Sequence, residues 1–353
     1  MNDQFIPTPD ALPVAWGWLQ FLLLLTFPIH LLFMNAMLGS AGISMVQRFK
    51  GGEVNRRLAY FLAILLPLLV AFTVTFGVAP LLFVQVLYGQ FFYTSSILMA
   101  AFWILIIPIL ILAYFGAYLY DFRFEKLGKA GGWVISIVFI LFITIAYFLS
   151  NNMLLMTLPD KFSGYFQHMS GTMLASGHPT FLPRYLHMVI GAIAVGGLYT
   201  ALITRLKSKS DPELAAYGEA VGMKVFNIFT IISILLGIWF LVSQPKPVMM
   251  MFMGKNGLAT GLFVLALILV VLMLVFSFRK KVLATTVVLT VLVYLMTFMR
   301  AFLRTGYLGK FFTLDQLKMA SEYSPMVLFL VSLVAGIFVM VWMVKKAWQA
   351  LTA

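Results

Sequence analysis

Cysteine is absent from this 353-residue chain, and acidic residues are scarce, 11 Asp and Glu against 24 Lys and Arg. Without cysteine there is no disulfide framework, no thiolate metal site and no covalent attachment sequence for a c-type haem. Any cofactor is left to His, Met or carboxylate. Charge of both signs together is only 10% of the residues, which excludes low-hydrophobicity disorder and a nucleic-acid-binding reading of the +13 net charge. A signal peptide is not expected either, because a basic n-region and a small-residue cleavage site are both missing. Transporter-like internal repeats, low-complexity tracts and domain boundaries are likewise not seen. What the chain has in excess is hydrophobic sequence, 63% against roughly 45–50% for a soluble domain. That surplus excludes a soluble fold and predicts an all-α integral membrane protein, one membrane domain over residues 1–353.

A span needs about 20 apolar residues to cross roughly 30 Å of hydrocarbon. Nine such runs are expected, at about 20–46, 58–87, 96–120, 132–156, 184–205, 224–244, 258–278, 282–303 and 326–344. Alternate connections carry Arg48, Lys50, Arg56 and Arg57, then Arg123, Lys126 and Lys129, then Arg205, Lys207 and Lys209, then Arg279, Lys280 and Lys281. With Lys224, Lys345 and Lys346 that face holds 16 of the 24 basic residues. The positive-inside rule makes it cytoplasmic, with the N-terminus outside and the C-terminus inside. Residues 1–19, with Ile6, Pro7, Pro9, Pro13, Trp16 and Trp18, read as an interfacial segment. The connections 157–183 and 304–325 become long periplasmic loops, suited to docking a soluble partner.

All 11 acidic residues fall in loops or at span ends, so a carboxylate proton wire is not visible. The polar residues expected at depth reduce to His30, Gln85, Asn151, Asn152, His187, Asn227, Tyr294, Arg300 and Arg304. His30 sits about 15 Å into the first span and His187 just inside the outer edge of the fifth. A neutral imidazole there is compatible with an iron ligand, a quinone hydrogen-bond partner or a helix-to-helix hydrogen bond. His168 and His178 fall in the outer loop, where a solvated role is the simpler reading. Arg300 and Arg304, four apart, share one helix face: either they snorkel to headgroups or they clamp haem propionates or a quinone headgroup. Met249, Met250, Met251, Met253 and Met299 stand near the outer face, where a thioether is a conceivable axial ligand and packing the plainer role. Ala192 and Gly196 offer a small surface for close helix contact.

Three motifs in order resemble subunit I of the cytochrome bd quinol oxidases. The first is His30, Leu32, Phe33, Leu38 and Gly39. The second is Gly77, Val78, Ala79 and Gly89, with Gln85 at the position where the family carries an acid. The third is Pro179, Arg184, Tyr185, Leu186 and His187. The likeness covers roughly residues 19–205, and beyond that only the topology agrees. It implies that His30 and His187 are ligands to the iron of b-type haem, one or two in number. With haem so placed, Arg184, Arg300 and Arg304 are expected as propionate partners, and Gln85 and Asn151 as neutral groups lining the haem or quinone pocket.

Gln85, and Ala301 or a neighbour in the eighth span, stand where the family's acids would be, so oxygen reduction is not the expected activity. The expected function is a bd-like membrane haem b subunit of a respiratory complex in a bacterial inner membrane. It would move electrons between membrane quinone and a periplasmic multihaem c-type cytochrome, alongside other membrane subunits. The alternatives are a haem-free subunit that anchors or assembles such a complex and, after it, a working oxygen reductase.

Overall fold

The computed structural model describes residues 5–167, 169–320 and 322–352, and every long element in it is a helix. These are α1 (Trp16–Lys50), α2 (Glu53–Leu87), α3 (Gly89–Leu98), α4 (Ala100–Phe122), α5 (Ala130–Leu155), α6 (Phe181–Arg205), α7 (Pro212–Val242), α8 (Lys246–Met250), α9 (Gly257–Phe278), α10 (Val282–Leu308) and α11 (Ser324–Thr352). Among the described residues, eight helices are long and apolar enough to cross a membrane: α1, α2, α4, α5, α6, α7, α9 and α10. The ninth expected span falls within α11, whose described apolar stretch is Ser324–Gly336.

The exposed surface is what lipid requires. On α4 alone, Ile104, Ile107, Leu112 and Phe115 are all at least 60% exposed. A soluble protein rarely presents a continuous apolar patch of this kind, whereas hydrocarbon solvates it at no cost. The chain is therefore a multi-pass helical membrane protein. Pro28, Pro67, Pro80 and Pro108 lie inside spans, where packing neighbours accommodate the missing amide bond.

Side chains at the helix turns show which ends lie together. Arg48 donates to the carbonyls of Phe124 (2.9 Å) and Gly128 (2.8 Å) at the α4–α5 turn. Arg56 pairs with Glu125, and Arg57 with Asp211 and Glu213 at the start of α7. The α1–α2, α4–α5 and α6–α7 turns thus share one end of the bundle. At the opposite end, Leu12 exchanges backbone hydrogen bonds with Lys318 and Ala320, and Lys310 reaches Asp160 at 2.6 Å. The N-terminal segment is thereby stitched to the loop after α10.

Four long crossings separate the start of α1 from the start of α6, so the two helices run in the same direction. They meet backbone to backbone. A Cβ on Gly39 would lie 2.4 Å from the Ala192 carbonyl oxygen and 2.6 Å from the Gly196 Cα, so nothing larger than hydrogen fits. The small surface at Ala192 and Gly196 is used for close helix contact. A second such crossing joins α6 to α7, where a Cβ on Gly222 would come within 2.5 Å of the Gly197 oxygen. In lipid, where hydrophobic burial does not drive helices together, this close van der Waals approach does.

Candidate functional site

These crossings set the height of the two membrane histidines. His30 lies nine residues before Gly39 on α1, and His187 nine residues before Gly196 on α6. At about 1.5 Å per residue both rings stand roughly 13.5 Å above the shared contact, at one level of the bundle. Each turns toward the next helix in sequence. Nδ1 of His30 is 2.9 Å from the Thr73 carbonyl oxygen on α2, and Nδ1 of His187 is 2.9 Å from the Ser233 carbonyl oxygen on α7.

A carbonyl oxygen only accepts, so in both rings Nδ1 must carry the proton. Nε2 keeps its lone pair, and in neither ring does it have a hydrogen-bond partner among the described residues. That is the tautomer a metal-ligating imidazole needs, with the second ring nitrogen anchored to a carbonyl. Among the described residues no group of three or more His, Asp or Glu side chains could hold a bare metal ion. A haem iron asks less, since the porphyrin supplies four nitrogens and the protein only axial ligands.

The arginines converge. Arg184, Arg300 and Arg304 line one cavity with Met153, Met156, Thr157, Leu303 and Tyr307. Arg184 precedes His187 by three residues, so the two share a face of α6. Arg300 stacks over Phe27 at 4.9 Å, and Phe27 in turn lies 6.2 Å from the His30 ring. Arg304 lies over Tyr88 at 4.6 Å. It is only 9% exposed, and its buried Nη1 has no hydrogen-bond partner. None of the three arginines has a carboxylate partner in an ion pair among the described residues. An arginine within a span costs about 2.5–3.5 kcal/mol at mid-membrane, less toward the edge. Cation–π contacts return about 0.5–2 kcal/mol each and leave the charge in place. Three guanidinium groups without carboxylate partners thus converge on one cavity, and their fork-shaped donors are chemically suited to a carboxylate or phosphate.

Gln85 and Asn151 do not line this cavity. Gln85 is half-buried on α2, and Asn151, fully buried on α5, donates to the Tyr147 carbonyl at 3.0 Å and leaves its Oδ1 without a partner. Asn152 beside it donates to Ser96 at 3.1 Å, Asn227 accepts from Ser277, and Tyr294 reaches the Leu25 carbonyl at 3.4 Å. Met251 is spent on packing: a Cβ on Gly306 would lie 2.9 Å from its sulfur. The cavity's methionines are instead Met153 on α5 and Met156 just after it, which sequence reasoning missed.

His178 has a local task, with Nδ1 2.7 Å from the Thr180 hydroxyl and accepting from the Thr180 amide at 3.3 Å, at the start of α6. Burial, and next the charge of Lys161, hold its pKa below the usual histidine value. His168 lies outside the described residues. Also missed were Thr73, Ser233 and Gly237, which act only through their contact with a histidine on another helix. Set against models of known protein families and against curated proteins, the chain matches none.

Proposed function

We propose that this chain is a bd-like membrane haem b subunit of a respiratory complex in a bacterial cytoplasmic membrane. In this reading it transfers electrons between membrane quinone and a periplasmic multihaem c-type cytochrome, with its N-terminus and its 157–183 and 304–325 connections on the periplasmic side. One observation carries the reading: His30 and His187 stand at one level with Nδ1 tied and Nε2 free, beside three arginines that lack carboxylate partners. His30 and His187 would ligate haem iron, and Arg184, Arg300 and Arg304 would receive the propionates.

A bound haem supplies a one-electron couple, while the protein fixes the ligand orientation, offsets the propionate charge and excludes water from the span. Gln85 and Asn151 fit this scheme as neutral hydrogen-bonding groups near the haem or quinone. Neither can take up and release a proton at neutral pH, and among the described residues every Asp and Glu falls in a connection or within about two turns of a helix end. Electron transfer to a partner is accordingly favoured over oxygen reduction.

The test is the optical spectrum of the purified chain with its membrane partners. A dithionite-reduced b-type α band is expected, together with weak or no quinol-dependent oxygen uptake. Absence of any haem band would replace this reading with a haem-free anchoring subunit. Rapid, sustained oxygen consumption would make it an oxygen reductase after all.

A further inference from the structure

The two histidine contacts share a detail beyond the carbonyl. Four residues after Thr73 comes Gly77, and four residues after Ser233 comes Gly237. Both glycines lie against the imidazole. A Cβ on Gly77 would lie 2.8 Å from His30 Nδ1 and 2.9 Å from its Cε1. On Gly237 it would lie 3.2 Å from His187 Cε1 and 3.4 Å from Nδ1.

Helix geometry explains the spacing. The carbonyl of residue i already accepts the amide of residue i+4 and has a second lone pair to offer. Every Cα–Cβ bond tilts toward the helix N-terminus, so a side chain at i+4 leans back over that carbonyl. A ring arriving from a neighbouring helix needs that space empty. Glycine at i+4 provides it, and the arrangement occurs at both membrane histidines, on different helix pairs, α1 with α2 and α6 with α7.

We infer that Gly77 and Gly237 are positioning residues, which hold His30 and His187 in the Nδ1-protonated form and so present Nε2 with its lone pair free. Their value for iron ligation rests on the function proposed above. The tautomer itself does not, because it follows from the contact with the carbonyl whether or not haem is bound.

The experiment uses the full chain, labelled with ¹⁵N-histidine and purified without added haem. Nitrogen shifts and two-bond couplings report which ring nitrogen carries the proton. His30→Ala and His187→Ala assign the signals. The parent should show both membrane histidines protonated at Nδ1. Gly77→Ala should convert His30 largely to the other tautomer or a mixture while leaving His187 unchanged. Gly237→Ala should affect only His187, and more mildly, since its neighbour has only a few tenths of an ångström to yield. In each variant the untouched histidine reports that the fold is intact.

Where haem copurifies, the same variants are read by redox titration. The weakened Nδ1 hydrogen bond should raise the midpoint potential of one component alone. Nε2-protonated rings in the parent, or glycine variants that change neither tautomer nor potential, would overturn the inference. If Gly77→Ala fails to fold, Gly237→Ala carries the test. A parent with the expected tautomers that takes up no haem would sink the proposed function and leave the positioning role standing.

Discussion

The His30 and His187 environments are built on one plan and fitted to different tolerances. Both rings lean on a helix carbonyl across a glycine. His30 has the tighter seat, with a Cβ on Gly77 only 2.8 Å from the ring so that the ring would have to shift, Phe27 beside the ring and Arg300 behind that phenyl. His187 has the looser one, with more room at Gly237, the Ser233 hydroxyl at 3.2 Å as a second contact and Arg184 on its own helix face. The difference teaches that equivalent histidines on parallel helices can be tuned separately, because each takes its neighbours from a different helix pair.

The largest effect should come from removing the rings. Under the proposed function, His30→Ala and His187→Ala should each delete one haem component or change its spin state in the reduced spectrum. A packing histidine would lose only a membrane hydrogen bond of about 0.6 kcal/mol and leave the spectrum per protein unchanged. If both variants fold with the parent spectrum, the two sites are not ligand sites.

Next in size are the arginines, which should separate the two environments. Under the proposed function, Arg300→Gln should lower the potential associated with His30 more, and Arg184→Gln that associated with His187 more. Loss of a nearby cation disfavours the reduced form, and a tenfold change in the equilibrium corresponds to about 59 mV for one electron. Equal shifts of both potentials by both variants would mean that the arginines act as one pooled charge.

Acid should distinguish the sites through α6. His178 is held below its usual pKa in the folded protein, by burial first, so the unfolded chain takes up the proton first. Its contribution is intact above about pH 6.5 and is lost as pH falls below that value toward its lowered folded pKa. Protonation also removes the acceptor for the Thr180 amide at the start of α6. A pH titration of the purified protein from 7.5 to about 5 should disturb the His187 signal before that of His30. His178→Gln should abolish the difference. Simultaneous loss of both signals would detach this cap from the comparison.

Smallest is Ser233→Ala, which removes one of two contacts to His187 and keeps the carbonyl. Under the proposed function, the expected change is at most about 0.6 kcal/mol, visible as a small potential shift and no change in spin state. A complete loss of the His187 component would mean that the hydroxyl, not the carbonyl, holds the ring.

The membrane character of the chain and the rough position of its spans were legible because hydropathy adds up along a single segment, whatever that segment touches. Helix ends were less so. The sixth span was expected from about residue 224, yet α7 begins at Pro212, where Asp211 caps the amide of Leu214 and Pro occupies the first turn. Those turns are polar and extend past the apolar run, and the Asp-Pro start signal was there to be read. The short α3 was not expected as a helix: most of it lies in the interval left between the second and third expected spans. His30, His187, Arg300 and Arg304 stood out in the sequence because polar groups at depth are costly and therefore few, whereas Arg184 was singled out only as part of a motif.

Which of them meet was decided by tertiary structure alone. Gly39 against Gly196 and Gly197 against Gly222 set how α1, α6 and α7 cross, and thereby the common level of the two rings. Gly237, and Gly77 apart from its place in a motif, are by local propensity weak points, costing about 1 kcal/mol each against alanine in a helix. Their purpose exists only once a histidine from another helix lies over them. Gln85 and Asn151 show the converse, since a polar residue can be recognised at depth while the sequence withholds which way its helix is turned. Local composition determines that a segment is buried in lipid; the rotation and pairing of helices depend on contacts between residues as far apart as His187 and Ser233, which no local pattern encodes.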